Sequence, residues 1–521
     1  MNDTNVAARF FLSRSRCPSN IALEVEKKVY SYQSLGMEAL KLASLLNNIN
    51  SNSQFVGLFA YRSYAAYLGI LAITSAGKAY LPFNPKFPLE RIKSMIEISG
   101  CTMFIASQEF YPLIKELLQN TNEKYIFIFP EEKVLPTIGN TFKGFCQTDI
   151  DYQHAVLTEV KDIKPDDIVY LLFTSGTTGK PKGIPISHNN LNSYLDYVQK
   201  KYPVVESDRC SQAFDTTFDP SMHDIWVTWS AAATLCAIPQ ASLLAPAKFI
   251  NEKKLTIWYS VPSIAAFLRK TRILKPNIFP LLRYSIFSGE ALPADLAADW
   301  QKAAPSSSLI NYYGPTEITI NITDYVFKPG VTDKSLNNVI ALGAVFDSHL
   351  YKIVDVNLKQ LLVNETGELI ISGPQVSAGY INNPLKNKES FVELDGKVWY
   401  RTGDLVKIDS EGSIFYVGRI DHQVKIRGYR VEMAEIEYVV KKISKAENAV
   451  AIPFPINNNI AEGIICFLET KKLIDIALVL SKAGNLLPDY MIPKEIIVLA
   501  SLPININGKV DRNALINLLK G

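Results

Sequence analysis

The chain has 521 residues, 48% of them apolar and 20% charged, with a formal net charge of +3. That near-neutral balance, without a basic stripe, speaks against nucleic-acid binding, and the length exceeds what one hydrophobic core ordinarily supports, so two or more domains are expected. Six scattered cysteines, with no CxxC and no ligand-like pairing with the five histidines, argue against a zinc site or a disulfide framework and suit a reducing compartment.

From the N-terminus, "MNDTNVAARFFLSRSR" lacks the basic start and apolar core of a signal peptide, so a cytoplasmic protein is expected. Short apolar runs then alternate with helical patterns: "FVGLFA" before "SYAAYLGILAITSAG", and "TMFIAS" before "FYPLIKELLQN". Such alternation predicts parallel α/β layers. Residues 226–246, "WVTWSAAATLCAIPQASLLAP", carry two prolines, a glutamine and several hydroxyls. They read as a buried helix and strand, not a membrane span. After about residue 340 the texture turns strand-like ("HLYKIVD", "GELIISG", "KVWYRTGDLVKID", "GSIFYVGR"), predicting a β-rich subdomain. From "IDHQVKIRGYRVEMAEIEYVVKKI" onward a hairpin, a helix, two apolar strands and a final helix are expected, a small α+β unit. The charged step "GRIDHQVK" marks the boundary, dividing the chain into 1–420 and 421–521.

"FTSGTTGKPKG", residues 173–183, follows the apolar run "DIVYLLF". A strand, a Gly/Ser/Thr turn and lysines make a nest of N–H groups and hydroxyls suited to phosphate oxygens. It is not a Walker A loop: Pro181 follows Lys180, and the spacing from Gly176 is too short. Taken alone, such a loop reads equally as a phosphate site or a surface turn.

Seven further motifs accompany it in order: "GKAYLPFNPKFPLERI", "FDPSMHDIW", "NYYGPTEIT", "GELIISGPQVSAGY", "YRTGDL", "GRIDHQVKIRGYRVEMAEIE" and "NGKVDR". The set resembles the ANL superfamily of adenylate-forming enzymes over essentially the whole chain. More narrowly it is similar to the amino-acid adenylation domains of nonribosomal peptide synthetases and to stand-alone D-alanine–carrier protein ligases. The resemblance implies an α/β fold with a large N-terminal domain (two α/β subdomains plus a β-rich one) and a small mobile α+β C-terminal domain. It also implies ATP and Mg²⁺ as cofactors. In that chemistry a carboxylate attacks the α-phosphate and pyrophosphate leaves, so catalysis is mostly positioning and charge neutralisation.

The resemblance assigns Thr174, Ser175, Gly176, Thr177, Thr178, Gly179 and Lys182 to the β- and γ-phosphates, Glu317 to magnesium and Thr316 to the α-phosphate. Tyr313 would stack on adenine, with Asn311 at the base edge and Gly289, Glu290, Tyr312 and Gly314 around the nucleotide. Asp404 would bind the ribose hydroxyls with both carboxylate oxygens, Arg419 the ribose or phosphate. Asp421 matches the hinge, Lys425 and Gly428 the face turned to the entering thiol. Lys509 matches the lysine that bridges substrate carboxylate and nucleotide.

For the substrate, Asp219 precedes Pro220 and an amphipathic segment, the pattern of a helix N-cap, while the family's Asp at this place pairs with an α-ammonium; both can hold. His223 lies four residues on, on the same helical face. It is either pocket lining or a core histidine satisfied by Asp224. Phe218, Tyr259, Ile286, Ser288, Tyr312, Ile320 and Asn321 complete the expected lining. Two tyrosines and a histidine leave little volume, so a small or compact amino acid of the alanine, serine or proline class is expected. Ser288 stands where the alanine ligases carry a cysteine associated with the D-enantiomer, leaving chirality open, and Asn84 replaces the more usual Asp. Only nine residues follow Arg512, and no GG-x-S attachment sequence appears. A separate phosphopantetheinylated carrier protein is therefore the expected acceptor, with no nucleic-acid or membrane partner and a monomeric enzyme. The competing readings are a CoA ligase and a non-catalytic binding paralogue; intact Lys182, Glu317, Asp404 and Lys509 argue against the latter.

Overall fold

The helix Tyr64–Ser75, "YAAYLGILAITS", has no polar face, and Ala65 through Ser75 are all buried, as such a helix must be. It packs on the strands Phe55–Phe59, Ala79–Pro82 and Met103–Ala106 and against the helix Tyr32–Asn48. The structure, a computed structural model, describes residues 4–49, 53–119, 123–139, 142–153, 156–176, 181–328, 334–421, 423–426, 428–457, 460–504 and 510–520.

The expected α/β layers are two large sheets. One runs in the spatial order Lys143–Cys146, Ile126–Phe129, Met103–Ala106, Phe55–Phe59, Ala79–Pro82, Ile168–Thr174 and Lys182–Ser187, parallel except for its last pair. The other has Arg209–Gln212, Ile257–Ser260, Tyr284–Phe287 and Ser308–Tyr313 as adjacent parallel strands. Parallel strands end in loops on one side of a sheet, which is where α/β proteins bind ligands. Residues 226–246 divide as expected into the end of a buried helix, Pro220–Ser230, and the strand Thr234–Ala237. Among the described residues no helix is long and apolar enough to cross a membrane, and all six cysteines are free.

The β-rich part is antiparallel: Leu350–Val354, Thr366–Ser372, Lys397–Ile408, Phe391–Leu394 and Ile414–Arg419. The hairpin Gln423–Ile426/Tyr429–Glu432 and the helix Met433–Ser444 then begin the C-terminal unit. Its second sheet has three strands, Asn448–Pro453, Ile464–Glu469 and Glu495–Leu499, where two were expected. A helix, Ile476–Gly484, links the last two as a parallel crossover. That helix buries only Val479 and Ala483, too few positions to write a clear apolar period.

Candidate active site

A cavity of about 980 Å³ opens between the ends of both large sheets, the β-rich part and the C-terminal hairpin. The loop of residues 173–183 borders it. Thr174 pairs with Lys182 across an antiparallel ladder, so the two described ends of the loop are held side by side. The buried Thr174 hydroxyl lines the cavity and has no hydrogen-bond partner among the described residues. Thr177, Thr178 and Gly179 lie outside the described residues.

Asn311 and Tyr313 end the strand Ser308–Tyr313 on the cavity wall. Asn311 Nδ2 donates to the Ala341 carbonyl, and its buried Oδ1 is left without a partner, suited to the amino edge of a base. Gly314 lets this strand end approach the Asn321 backbone, since a Cβ there would lie 2.5 Å from the Asn321 Cα. Both Asp404 oxygens are engaged: Tyr313 Oη donates to Oδ2 at 2.5 Å and Arg419 to Oδ1 at 2.7 Å. The expected use of both oxygens by ribose thus has to share them; a carboxylate's four lone-pair sites leave room for that. Arg419 also clamps Asp421 through two bonds of 2.6 and 2.8 Å.

The turn Thr316–Ile318 carries Glu317, which is fully buried. Thr319 and Ile320 follow with φ of +51° and +72°, unusual for β-branched residues. Gln375 pins them: its Nε2 donates to the carbonyls of Ile318, Thr319 and Asn321, and Thr319 Oγ1 donates back to the Gln375 carbonyl. The strained turn aims the Ile320 N–H at Asp219 Oδ2, 3.0 Å away. Asp219 occupies the N-cap position of Pro220–Ser230 with Pro220 first in the helix, but its side chain makes no capping bond. The cap expectation fails because Asp219 itself has helical backbone angles and its carboxylate turns to Ile320. Burial, aided by the nearby Glu317 charge, pushes its pKa up to about 7.

Of the expected lining, Phe218, Asp219, Pro220, Ser288, Tyr312, Ile320 and Asn321 reach the cavity wall, with Gly289 and Glu290 beside them. His223, Tyr259 and Ile286 do not. They are buried behind it, and the rings of His223 and Tyr259 pack edge-on against wall residue Tyr312 at 6.1 and 6.3 Å. A continuous polar chain joins His223 and Tyr259 to the wall. Ser288 Oγ bonds Tyr259 Oη at 2.6 Å, and Asn321 Nδ2 donates to the hydroxyls of Tyr259 and Tyr194. Tyr194 Oη meets His223 Nδ1 at 2.8 Å. His223 is therefore satisfied by Tyr194 and not by Asp224, which accepts the Ala213 N–H. Burial lowers its pKa to about 3, so it is neutral.

The hairpin closes the cavity from the C-terminal side. Gly428 N–H donates to Glu290 Oε1 at 2.6 Å, and Lys425 Nζ sits 5.9 Å from the Tyr313 ring centre. Burial lowers the Lys425 pKa, against the pull of Asp404. Arg430 donates to Glu317 Oε2 at 2.8 Å while Tyr380 donates to Oε1 at 2.7 Å. Burial alone would raise the Glu317 pKa; Arg430 and Lys182 outweigh it and hold it at about 2. An ionised buried carboxylate fits the magnesium expectation, since Mg²⁺ takes one or two carboxylates alongside substrate phosphates. Lys182 Nζ meets Glu432 Oε1 at 3.2 Å. Lys509 lies outside the described residues. Tyr194, Gln375 and Tyr380 carry no role in the sequence reading; the last two were legible as members of "GELIISGPQVSAGY", whereas Tyr194 leaves no signal in its own helix.

The AMP-binding enzyme family matches residues 10–381. The D-alanine–D-alanyl carrier protein ligase of Lacticaseibacillus rhamnosus is 30% identical over 515 residues, 96% of this chain and 96% of the ligase. Gramicidin S synthase 1 of Brevibacillus brevis is 30% identical over 510 residues, and the chain spans only 43% of its length. Among solved structures, the Vibrio cholerae adenylation domain AlmE in complex with glycyl-adenosine-5'-phosphate is similar with a TM-score of 0.90 and 30% identity, covering 100% of this chain and 98% of that one.

Proposed function

As this chain belongs to the AMP-binding enzyme family, we propose that it activates a small or compact amino acid with ATP and passes it to a separate carrier protein. Residues 1–420 form the binding core and 421–521 the mobile unit. The amino-acid carboxylate attacks the α-phosphorus, the bond to the β-phosphate oxygen breaks, and aminoacyl-AMP and pyrophosphate form. The carrier's phosphopantetheine thiolate then attacks the acyl carbon and AMP leaves.

One observation carries the reading. Asp219, a buried carboxylate, shares a single cavity with Asn311, Tyr313 and Asp404. The first offers a counter-charge to an α-ammonium, the others a base edge, a ring face and a ribose acceptor. Thr316, beside Asp219, is the neighbour of the reacting phosphate. Magnesium, when bound at Glu317, supplies charge neutralisation to the phosphates. The bulky, buried Tyr312 on the wall shared with Asp219 and Asn321 takes volume from the amino-acid side, which supports the alanine, serine or proline class. So do relatives whose names carry D-alanine and glycyl-adenylate.

Amino-acid-dependent ATP–pyrophosphate exchange across a panel of amino acids tests the proposal. Exchange driven by one or a few small amino acids is the expected result; no exchange with any amino acid overturns it. Thioester formation with holo-carrier but not CoA separates a carrier ligase from a CoA ligase.

A further inference from the structure

The hairpin and the start of the following helix deliver charges to the loop of residues 173–183. Glu435 Oε2 accepts the Gly176 N–H at 3.0 Å. Glu432 Oε1 meets Lys182 Nζ at 3.2 Å, with the two side chains 5% and 7% exposed. The Ser175 hydroxyl donates to the Arg430 carbonyl and accepts the Glu432 N–H. Each carboxylate is itself supported: Gln423 donates to Glu432, and Arg91 pairs with Glu435 at 2.9 Å. A turn N–H, a hydroxyl and a buried ammonium are the donors that phosphate oxygens take. Here carboxylate oxygens take two of them. At the same time Arg430 gives Glu317, the carboxylate expected to face magnesium, a cationic partner.

We infer that Glu432 and Glu435 are an internal stand-in for pyrophosphate. They compete with it for the Gly176 N–H and the Lys182 ammonium, so the hairpin docks as the leaving group departs, and pyrophosphate undocks it. The inference rests on the functional reading above, which makes pyrophosphate a ligand of this loop. Its physical reason is pairing. A buried ammonium or carboxylate left without a partner is strongly unfavourable. The docked hairpin re-pairs Lys182 and Glu317 in one movement.

Calorimetric titration of the full chain with sodium pyrophosphate, with and without Mg²⁺ and without nucleotide, tests this. Removing the competing charges in Glu432→Gln/Glu435→Gln enlarges the undocked fraction, so pyrophosphate is expected to bind about tenfold tighter than to the unsubstituted protein. Structural damage would weaken binding, so tightening is a readout that misfolding does not produce; unchanged or weaker affinity overturns the inference. A second measurement places spin labels at the exposed positions Lys275→Cys and Lys482→Cys in a Cys17→Ser background. The inter-label distance is expected to shift with pyrophosphate, and a distribution unmoved at saturation also overturns it. Both experiments use pyrophosphate without nucleotide or amino acid. Failure of amino-acid-dependent exchange would sink the functional reading without altering either result.

Discussion

The Ile320 N–H donates to Asp219 Oδ2 at 3.0 Å across 101 positions of sequence. That single bond does not offset the burial of the carboxylate, whose pKa stands at about 7. An arriving ammonium favours the ionised form of Asp219, whose proton passes to water. The turn that provides the N–H is held by a glutamine from another subdomain.

Removing the partner of a buried ammonium leaves it unpaired, at a cost of roughly 3–5 kcal/mol. Asp219→Ala is therefore expected to lower amino-acid-dependent pyrophosphate exchange by about two orders of magnitude or more. ATP affinity, measured by calorimetry, should be retained. Near-normal exchange in this variant would remove the ammonium assignment.

Acidity acts through the same group. A carboxyl whose pKa is raised to about 7 is protonated below that pH, and only its ionised form pairs with the ammonium. kcat/KM for the amino acid reports the free enzyme, so it should rise about tenfold per pH unit up to about 7 and level off above. Asp219→Asn should lose this limb; a profile flat between pH 5 and 7 contradicts it.

Tyr312 lines the cavity and packs edge-on against His223 and Tyr259, which do not reach it. Tyr312→Ala should admit longer apolar side chains, each added methylene gaining about 0.8 kcal/mol of burial. Competition among alanine, valine and leucine in the exchange assay reads the shift. An unsubstituted enzyme that already prefers leucine or phenylalanine excludes the small-substrate reading.

Gly428 has φ of +83°, and a Cβ there would lie 2.5 Å from Val261 Cγ1, so Gly428→Leu should prevent the hairpin from docking as observed. Single-turnover assays should show adenylation spared and thioester formation stopped. Lys509→Ala should do the reverse: adenylation falls about 10²–10³-fold, by analogy with losing one oxyanion donor, while transfer from preformed aminoacyl-adenylate survives. Equal slowing of both steps by both variants would refute a two-arrangement mechanism.

Gln375 spans three carbonyls of the strained turn. Gln375→Ala removes the side-chain donor to the Ile318 and Asn321 carbonyls, at about 1–3 kcal/mol each, while the Thr319 carbonyl keeps the Asn321 N–H. Both a lower melting temperature and a raised KM for the amino acid are expected, because the turn aims the Ile320 N–H. A melting temperature that falls with KM unchanged would reduce Gln375 to a purely structural role.

Most of the elements, the order of the motifs and the residues with chemistry inside them were legible along the chain, the exceptions being one strand and the helix Ile476–Gly484 of the C-terminal unit. Strand periodicity, glycine turns and the loop of residues 173–183 are local properties, legible wherever neighbours along the chain do the work. Thus Asn311, Tyr313, Gly314, Thr316 and Glu317 come to one strand end because they are consecutive or nearly so. Partners drawn from distant segments came from folding alone. It gave His223 to Tyr194 and not to the adjacent Asp224, because the helix His188–Lys201 packs beside Pro220–Ser230. It turned Asp219 from a helix cap into an acceptor for Ile320, since a backbone N–H 101 positions away, in a strained turn, outcompetes a cap that Asp219's own helical angles cannot form. It also set Glu432 and Glu435 on the phosphate loop and Arg430 on Glu317. In the sequence these three are ordinary charges of a solvated hairpin and helix; once buried, each needs an opposite charge from a distant segment, Lys182 for Glu432, Arg91 for Glu435 and Glu317 for Arg430.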